Sequence, residues 1–107
     1  MSMIPVFMIN DIGGVVYVCK NEICLLFSDH TEYTIEVNTK KLLKLVVARS
    51  SDEWETNKFL IEPFFICSET GALFVLIFIK DTKCDLDTAM VFRSDLIEVL
   101  TQVECFV

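Results

Sequence analysis

Hydrophobic and polar residues alternate with a period of two at the end of the first third of the chain. Residues 32–37 show this most clearly, because Tyr33, Ile35 and Val37 fall on one side and acidic or hydroxyl side chains on the other. That pattern is typical of an antiparallel strand with one solvated face. Shorter apolar runs precede it, separated by glycine or polar turns, and they predict a β-meander. These earlier predicted strands cover residues 6–9, 15–19 and 23–27.

Two later apolar runs also favour strands. Residues 41–49 are short and end in β-branched side chains, which favours a strand, with a helix as the alternative. Residues 73–79, Leu-Phe-Val-Leu-Ile-Phe-Ile, contain no polar position. A strand of that kind is buried on both faces, so we expect it inside the sheet rather than at its edge.

The segment between these two runs has conflicting signals. Ser50 is followed three residues later by Glu53, which is the spacing of a helix capping box. We therefore predict a helix or helical segment near 52–70. Pro63 is unfavourable inside a helix, because it lacks an N–H donor and clashes with the preceding turn. A strand over residues 59–67 is the alternative.

The end of the chain has the strongest helical periodicity. Apolar residues recur at intervals of three and four between residues 86 and 103, and Asp85 and Asp87 favour a helix N-terminus. The pattern predicts a long C-terminal helix over residues 85–105. The fold class is therefore α+β, with an antiparallel β-meander sheet of about five to six strands, the C-terminal helix and the second helical segment near 52–70.

The composition indicates a single domain over residues 1–107. Hydrophobic residues make up 53% of the chain and charged residues 23%, the reverse of a disordered segment. The net charge of −7 argues against nucleic-acid binding, which needs clustered basic side chains. The one lysine cluster, residues 40–44, is interpreted as solvated. No apolar run is long enough to span a bilayer and no basic leader precedes one, so we expect a cytoplasmic protein, with the nucleus as a second location, and no membrane partner.

The sequence has no recognisable catalytic or metal-binding motif. A nucleophilic mechanism needs a base beside the nucleophile, and the one histidine, His30, falls in a predicted turn. The acidic pairs at 52–53 and at 85 and 87 stand at predicted helix starts, where capping explains them. Five cysteines without close pairs are interpreted as free, mostly buried thiols. We therefore expect no enzymatic activity, no cofactor and no metal; a small enzyme that uses a cysteine thiolate is the alternative.

Large apolar side chains are abundant for so small a domain, which indicates either a dense core with few loops or a surface that a partner partly covers. Tryptophan is enriched in binding hot spots, although Trp54 in the core is the alternative. The expected partner is a protein, either a structurally similar subunit or a second copy of the chain. The expected partner-binding residues are Trp54, Phe64, Phe65, Phe106 and Val107.

The last two-thirds of the chain resembles proteasome assembly chaperone 3 in the order of its parts. Pro63 inside the first predicted helix departs from that pattern. The resemblance implies a chaperone that heterodimerises with a similar subunit and helps to assemble the 20S α-ring, with proteasome α subunits as partners. The matching parts are the strand at 44–48, Asp52-Glu53 at a helix start, Gly71, the apolar strand at 73–79 with Lys80-Asp81, and a last helix ending shortly before Phe106-Val107.

The first half of the chain is similar to a hairpin of polo-box domains. The similarity rests on residues 23–31, Ile-Cys-Leu-Leu-Phe-Ser-Asp-His-Thr, with Lys40-Lys41 roughly where those domains have lysines. It implies a polo-box-like or pleckstrin-homology-like domain that dimerises or binds a peptide, for example by adding a strand to a sheet edge. Both resemblances imply a non-enzymatic protein-binding module.

Overall fold

The structure is a computed structural model and describes residues 4–7, 13–28, 30–80 and 88–105. In these ranges the chain forms eight strands and two helices. The elements are β1 (Ile4–Phe7), β2 (Gly14–Cys19), β3 (Glu22–Phe27), β4 (Glu32–Glu36), α1 (Thr39–Val47), β5 (Trp54–Glu55), β6 (Phe59–Ile66), β7 (Leu73–Ile79), β8 (Thr88–Phe92) and α2 (Arg93–Cys105).

The order of elements is the same in two successive parts of the chain. Strands β1 to β4 form one antiparallel sheet in sequential order, and α1 follows them. Strands β5 to β8 form a second antiparallel sheet in sequential order, and α2 follows them. We call these units the first half (4–47) and the second half (54–105). The sequence contains no repeat that corresponds to this repeated topology.

The first half confirms the predicted meander. Asn21 lies in the turn between β2 and β3 and His30 between β3 and β4, with positive φ angles of 62° and 71°. In β4, Ile35 is buried while Glu32 and Glu36 are exposed, as the alternation predicts. The opening strand covers Ile4–Phe7 rather than 6–9, and residues 8–9 lie outside the described part.

The strand favoured over residues 41–49 is wrong, because this segment forms helix α1. Asn38 caps the helix: its side-chain oxygen accepts a hydrogen bond from the backbone N–H of Lys41 at 3.0 Å. Leu42 and Val46, four residues apart, are fully buried on one side of the helix. The local cap and this spacing outweigh the β-branched end of the segment.

The helical segment predicted near 52–70 is also wrong, and the alternative strand is present as β6. Ser50 does not cap a helix; its hydroxyl accepts from the N–H of Asp52 at 3.1 Å within a turn. Pro63 lies where the register between β6 and β7 shifts, between Glu62 and Phe65. At such an irregularity the missing N–H donor disturbs the ladder least.

Strand β7 lies inside the second sheet between β6 and β8, as its uninterrupted apolar sequence predicts. The C-terminal helix is present but begins at Arg93, because residues 88–92 form strand β8. The alternation of buried Ala89 and Val91 with less buried neighbours shows the period of a strand. Asp85 and Asp87, the predicted helix start, lie outside the described residues, as does the predicted turn at 81–84.

One hydrophobic core joins both halves. It contains the inner faces of both sheets together with the buried sides of the two helices, which pack against each other. Arg93 ties the halves together further, since its guanidinium donates to the carbonyl oxygens of Val46 at 2.9 Å and Val47 at 3.2 Å. These bonds satisfy carbonyl groups at the end of α1.

The α+β class and the long C-terminal helix are thus confirmed. The described strands form two sheets of four rather than one sheet of five to six, and the second helix is at 39–47 rather than near 52–70.

Candidate protein-binding surface

The register of the second sheet determines which side chains point away from the core. Residues paired across strands project from the same face, and successive residues alternate. In β7, Val75 and Ile77 belong to the core, so Phe74, Leu76 and Phe78 project from the opposite side. We call that side, with its partners on β6 and β8, the outer face. It consists of Leu60, Glu62, Phe65, Phe74, Leu76, Phe78, Thr88, Met90 and Phe92.

Across β6, β7 and β8 the outer face is almost entirely apolar, with Glu62 and Thr88 as its polar side chains. Glu55 of β5 pairs with Leu60 and so borders this face, where it forms an ion pair with Lys80 at 3.1 Å. A sheet face directed to solvent is ordinarily polar, because an antiparallel strand alternates between core and water. The outer face breaks that alternation across three adjacent strands. It is therefore the region where the second half departs most from the expected pattern of a solvated sheet.

Three phenylalanines form a row across one end of the outer face, where Phe65 pairs with Phe74 and Phe74 with Phe92. The rings of Phe74 and Phe92 stack with centroids 4.8 Å apart and an interplanar angle of 28°. Phe74 is 7% exposed, whereas Phe65 is 37% and Phe92 40% exposed. We call these three residues the aromatic row.

The exposed parts of the aromatic row would gain hydrophobic free energy if a partner covered them. Complete burial of one phenylalanine side chain is worth roughly 1.5–3 kcal/mol. Ile66, the next residue of β6, is 52% exposed, but it pairs with Leu73 and therefore projects from the opposite side of the sheet. A surface that gathers exposed aromatic side chains at one place is typical of a binding site rather than of solvated protein surface.

Trp54 lies away from the outer face. Its strand partner is the buried Ile61, so it projects towards the core side, where its ring meets Phe59 edge-on at 5.5 Å. The Lys41 ammonium of α1 sits 4.3 Å from the centre of the indole. Trp54 also borders an open cleft of about 570 Å³ between the β2–β3 turn, the end of β4 and β5. It therefore joins the two halves rather than forming part of the apolar surface.

The other expected partner-binding residues are dispersed. Phe65 lies on the outer face and is exposed, as a binding residue requires. Phe64 is half-buried in the irregular part of β6. Phe106 and Val107 lie outside the described residues. Of the three described residues, Trp54, Phe64 and Phe65, only Phe65 lies on the outer face, so the structure does not bring these three together as one surface.

Sequence reasoning missed most of the outer face, notably Phe74, Leu76, Met90 and Phe92. The uninterrupted apolar run of β7 predicts burial of both faces. One of those faces is the outer face, which no described helix covers. Met90 and Phe92 fall within residues 85–105, whose periodicity predicts a helix. The only available signal was the apolar run itself, because strand register depends on contacts distant in sequence.

The titratable groups show no catalytic arrangement among the described residues. His30 is exposed in the turn before β4, and no group of three or more histidine, cysteine, aspartate or glutamate side chains has metal-binding geometry in these ranges. Burial raises the pKa of the Cys24 thiol, which donates a hydrogen bond to the Glu32 carboxylate at 3.3 Å. Burial also raises the pKa of Cys19, reinforced by the charge of Glu22.

Cys67 differs from these two thiols. Hydrogen bonds from the Thr70 hydroxyl, and then from the backbone N–H groups of Thr70 and Glu69, lower the pKa of Cys67. Cys24 is the one buried thiol among the four described cysteines, whereas Cys105 is exposed. The expectation of mostly buried thiols is therefore wrong for the described residues.

Neither described helix is long and apolar enough to cross a lipid bilayer. Comparisons of the chain with protein-family models, with curated proteins and with solved structures found no match.

Proposed function

We propose that this protein is a non-enzymatic protein-binding module that binds a folded protein subunit through the outer face of its second sheet. The observation that carries the proposal is the aromatic row, whose flanking members Phe65 and Phe92 are 37% and 40% exposed. Large aromatic side chains that converge on one surface are typical anchors of protein interfaces.

The chemistry of the outer face favours a protein over other ligand classes. The nine residues of the outer face include no lysine or arginine, and Lys80 at its border is paired with Glu55, so the face offers no cluster of basic side chains to phosphate groups of a nucleic acid or of anionic lipid headgroups. It is a sheet surface, whereas small molecules prefer concave pockets. A second apolar protein surface fits it best, because both surfaces lose contact with water on association.

The finer assignment is a chaperone that assists assembly of a larger complex, as the resemblance to proteasome assembly chaperone 3 implies. Such a chaperone shields a subunit interface until the final partner replaces it, and an apolar face of limited area suits reversible binding of this kind. On this hypothesis the bound subunits include proteasome α subunits, and the protein acts in the cytoplasm or nucleus.

A dimerising interaction domain, polo-box-like or pleckstrin-homology-like, is the second candidate. The observation in its favour is that the outer face carries a single charged side chain, Glu62, so two such faces can meet without an array of like charges. This candidate and the first share the same surface and differ in what covers it.

The test is recovery of bound proteins from a native lysate with the tagged wild-type chain and the Phe92→Glu variant. Val47→Glu is the matched control, because Val47 is also an exposed apolar residue (52%) but belongs to α1. We expect one or a few proteins that the wild type and Val47→Glu recover in stoichiometric amounts and that Phe92→Glu loses. Equal recovery by all three chains contradicts the proposal.

The identity of the recovered proteins separates the two candidates. Proteasome α subunits together with a small second subunit support the assembly chaperone, whereas recovery of a differently tagged copy of the same chain alone supports the dimerising domain. Circular dichroism and thermal melting must first show that Phe92→Glu is folded, as its partial exposure predicts.

A further inference from the structure

We infer that the outer face pairs with the outer face of a second copy of this chain, about a two-fold axis that runs parallel to β7 between the two sheets. This inference rests on the proposed function, since it names the occupant of the same surface. It commits to a face-to-face pairing of sheets, of the kind that forms the core of a β-sandwich.

The arrangement of rows across the outer face makes it self-complementary under this operation. With the axis over β7, each β7 faces its counterpart, and β6 of one copy faces β8 of the other. Residues of one row then meet residues of the same row. Phe65 of one copy lies over Phe92 of the second, and the two Phe74 side chains meet at the axis.

The single carboxylate decides the direction of the axis. Glu62, Leu76 and Met90 form one row, so the axis along β7 places Glu62 of one copy over Met90 of the other, at the rim. An axis across the strands instead places β6 over β6, and the two Glu62 carboxylates then face each other. Like charges brought together at an interface are unfavourable, so the axis along β7 is selected.

Charge also selects the second sheet rather than the first for this contact. The solvent-facing side of the first sheet carries Glu22, Glu32 and Glu36. The same operation there brings three carboxylates from each copy into one interface, in a protein whose net charge is already −7. Of the two solvent-facing sheet sides in the described part, the outer face of the second sheet brings the fewer carboxylates together when two copies meet.

The size of the face predicts a weak dimer. From Phe74 to Phe78 the face extends about 13 Å along the strands, and three strands span roughly 10 Å between their outer axes. That area is below the approximately 800 Å² per partner of a standard stable interface. We therefore expect dissociation in the micromolar range or weaker, and a dimer that forms reversibly with concentration.

Sedimentation equilibrium of the purified full chain tests the inference, with two substitutions at one position. Met90→Glu sets a carboxylate against Glu62 of the other copy at two symmetric places, and we expect self-association on the order of tenfold weaker or more. Met90→Lys sets an ammonium against the same carboxylate, and we expect association at least as strong as the wild type. Met90 is half-buried on the outer face, so both variants can be checked for native folding by circular dichroism.

A charge reversal completes the test. In the double variant Glu62→Lys with Met90→Glu, each new lysine meets a new glutamate of the other copy, and we expect association equal to that of Met90→Lys. A wild type that stays monomeric at millimolar concentration overturns the inference, and so does equal weakening by Met90→Glu and Met90→Lys. Phe92→Glu, which changes the aromatic row instead, must also abolish the dimer.

The outcome for this inference is distinguishable from that for the proposed function. A monomeric wild type that still captures another protein, in a manner lost in Phe92→Glu, overturns the second copy as occupant and leaves the binding module intact. A dimer with the expected charge dependence and no other captured protein supports the pairing and removes the assembly-chaperone assignment.

Discussion

The solvent-facing sides of the two sheets differ sharply, although both halves of the chain follow one topology. In the first sheet that side carries three glutamates on β3 and β4 next to Val15, Tyr17 and Leu26. The outer face of the second sheet has Glu62 as its one charged residue and is otherwise built mainly from phenylalanine, leucine and methionine. The inner sides are alike, since both are buried in the common core. Packing in the core constrains the inner faces, whereas it leaves the outer faces free to differ. The difference between the two outer faces therefore indicates where function is to be sought.

The largest expected effect separates the two faces of one strand. Ile77→Ala removes a fully buried side chain from the inner face of β7, and we expect a loss of about 2–5 kcal/mol in the free energy of unfolding. Leu76→Ala removes a similar volume from the outer face of the same strand, where Leu76 is 9% exposed. We expect a smaller loss there, because a space beside a partly exposed side chain is less completely enclosed than one in the core. Urea unfolding at low protein concentration measures both values.

Equal losses from the two substitutions contradict this comparison, because they imply that the outer face is packed as tightly as the core. Val75→Ala serves as a control on the inner face: Val75 is fully buried, and its smaller side chain predicts a smaller loss than that of Ile77→Ala.

The second prediction compares how the two helices begin. Asn38 accepts the N–H of Lys41 at the start of α1, so Asn38→Ala is expected to destabilise the protein by about 0.5–2 kcal/mol. Asn38→Asp keeps an acceptor and should retain stability. Helix α2 begins directly after β8 and has Asp95 in its first turn, so Asp95→Asn loses only the dipole interaction, roughly 0.3–1 kcal/mol. Thermal melting of the three variants tests the order; a larger loss from Asp95→Asn contradicts it.

Comparison of α1 with β6 shows which secondary structures a sequence pattern can distinguish. The strands before residue 37 are predictable, because each is short, is rich in β-branched or aromatic residues or alternates, and is bounded by turn residues such as Gly13 and His30. The composition of residues 41–49 suits either a strand or a helix, and the cap at Asn38 is what distinguishes the helix. At 50–55 a serine–glutamate spacing imitated a capping box, although the serine closes a turn.

The candidate surface was predictable only in part. Phe65 and the apolar run of β7 were identifiable, but membership of the outer face depends on which residues pair across strands. That pairing joins Phe65 to Phe74 and Phe74 to Phe92, contacts set by the whole sheet and by the irregularity at Pro63. A one-residue change of register exchanges the two faces of a strand, so local sequence alone does not determine the surface.

The third prediction concerns the contact that joins the halves outside the core. The ammonium of Lys41 in the first half lies 4.3 Å from the indole centre of Trp54 in the second. Lys41→Gln is expected to cost about 0.5–1 kcal/mol, the range of an exposed cation–π contact, and to change the fluorescence of the single tryptophan. Lys44→Gln, an exposed lysine in the last turn of the same helix, is the matched control: it loses only the dipole interaction, roughly 0.3–1 kcal/mol, and should leave the fluorescence unchanged. An identical response from the two variants removes the contact as a link between halves.

The smallest effect on stability, and the clearest on reactivity, contrasts Cys24 of the first half with Cys67 of the second. The pKa of Cys24 is raised by burial, and that of Cys67 is lowered by hydrogen bonds from Thr70 and Glu69. Because the thiolate is the nucleophile, alkylation near neutral pH should be fast at Cys67 and slow at Cys24. Peptide mapping after timed iodoacetamide treatment measures both rates, and Thr70→Val should slow Cys67 alone.

The same two shifts predict opposite contributions to stability as the pH changes. For Cys24 the unfolded chain loses its proton first, near the ordinary value of 9.0, so the contribution of this thiol falls as the pH rises from there towards the raised folded value. For Cys67 the folded chain loses its proton first, so its contribution is complete above 9.0 and is lost as the pH falls through the lowered folded value. Urea unfolding of Cys24→Ala and Cys67→Ser against the wild type across this range separates the two. Rapid alkylation of Cys67 would not by itself support the thiolate-enzyme alternative, since the hydrogen bonds of its turn already account for the reactivity.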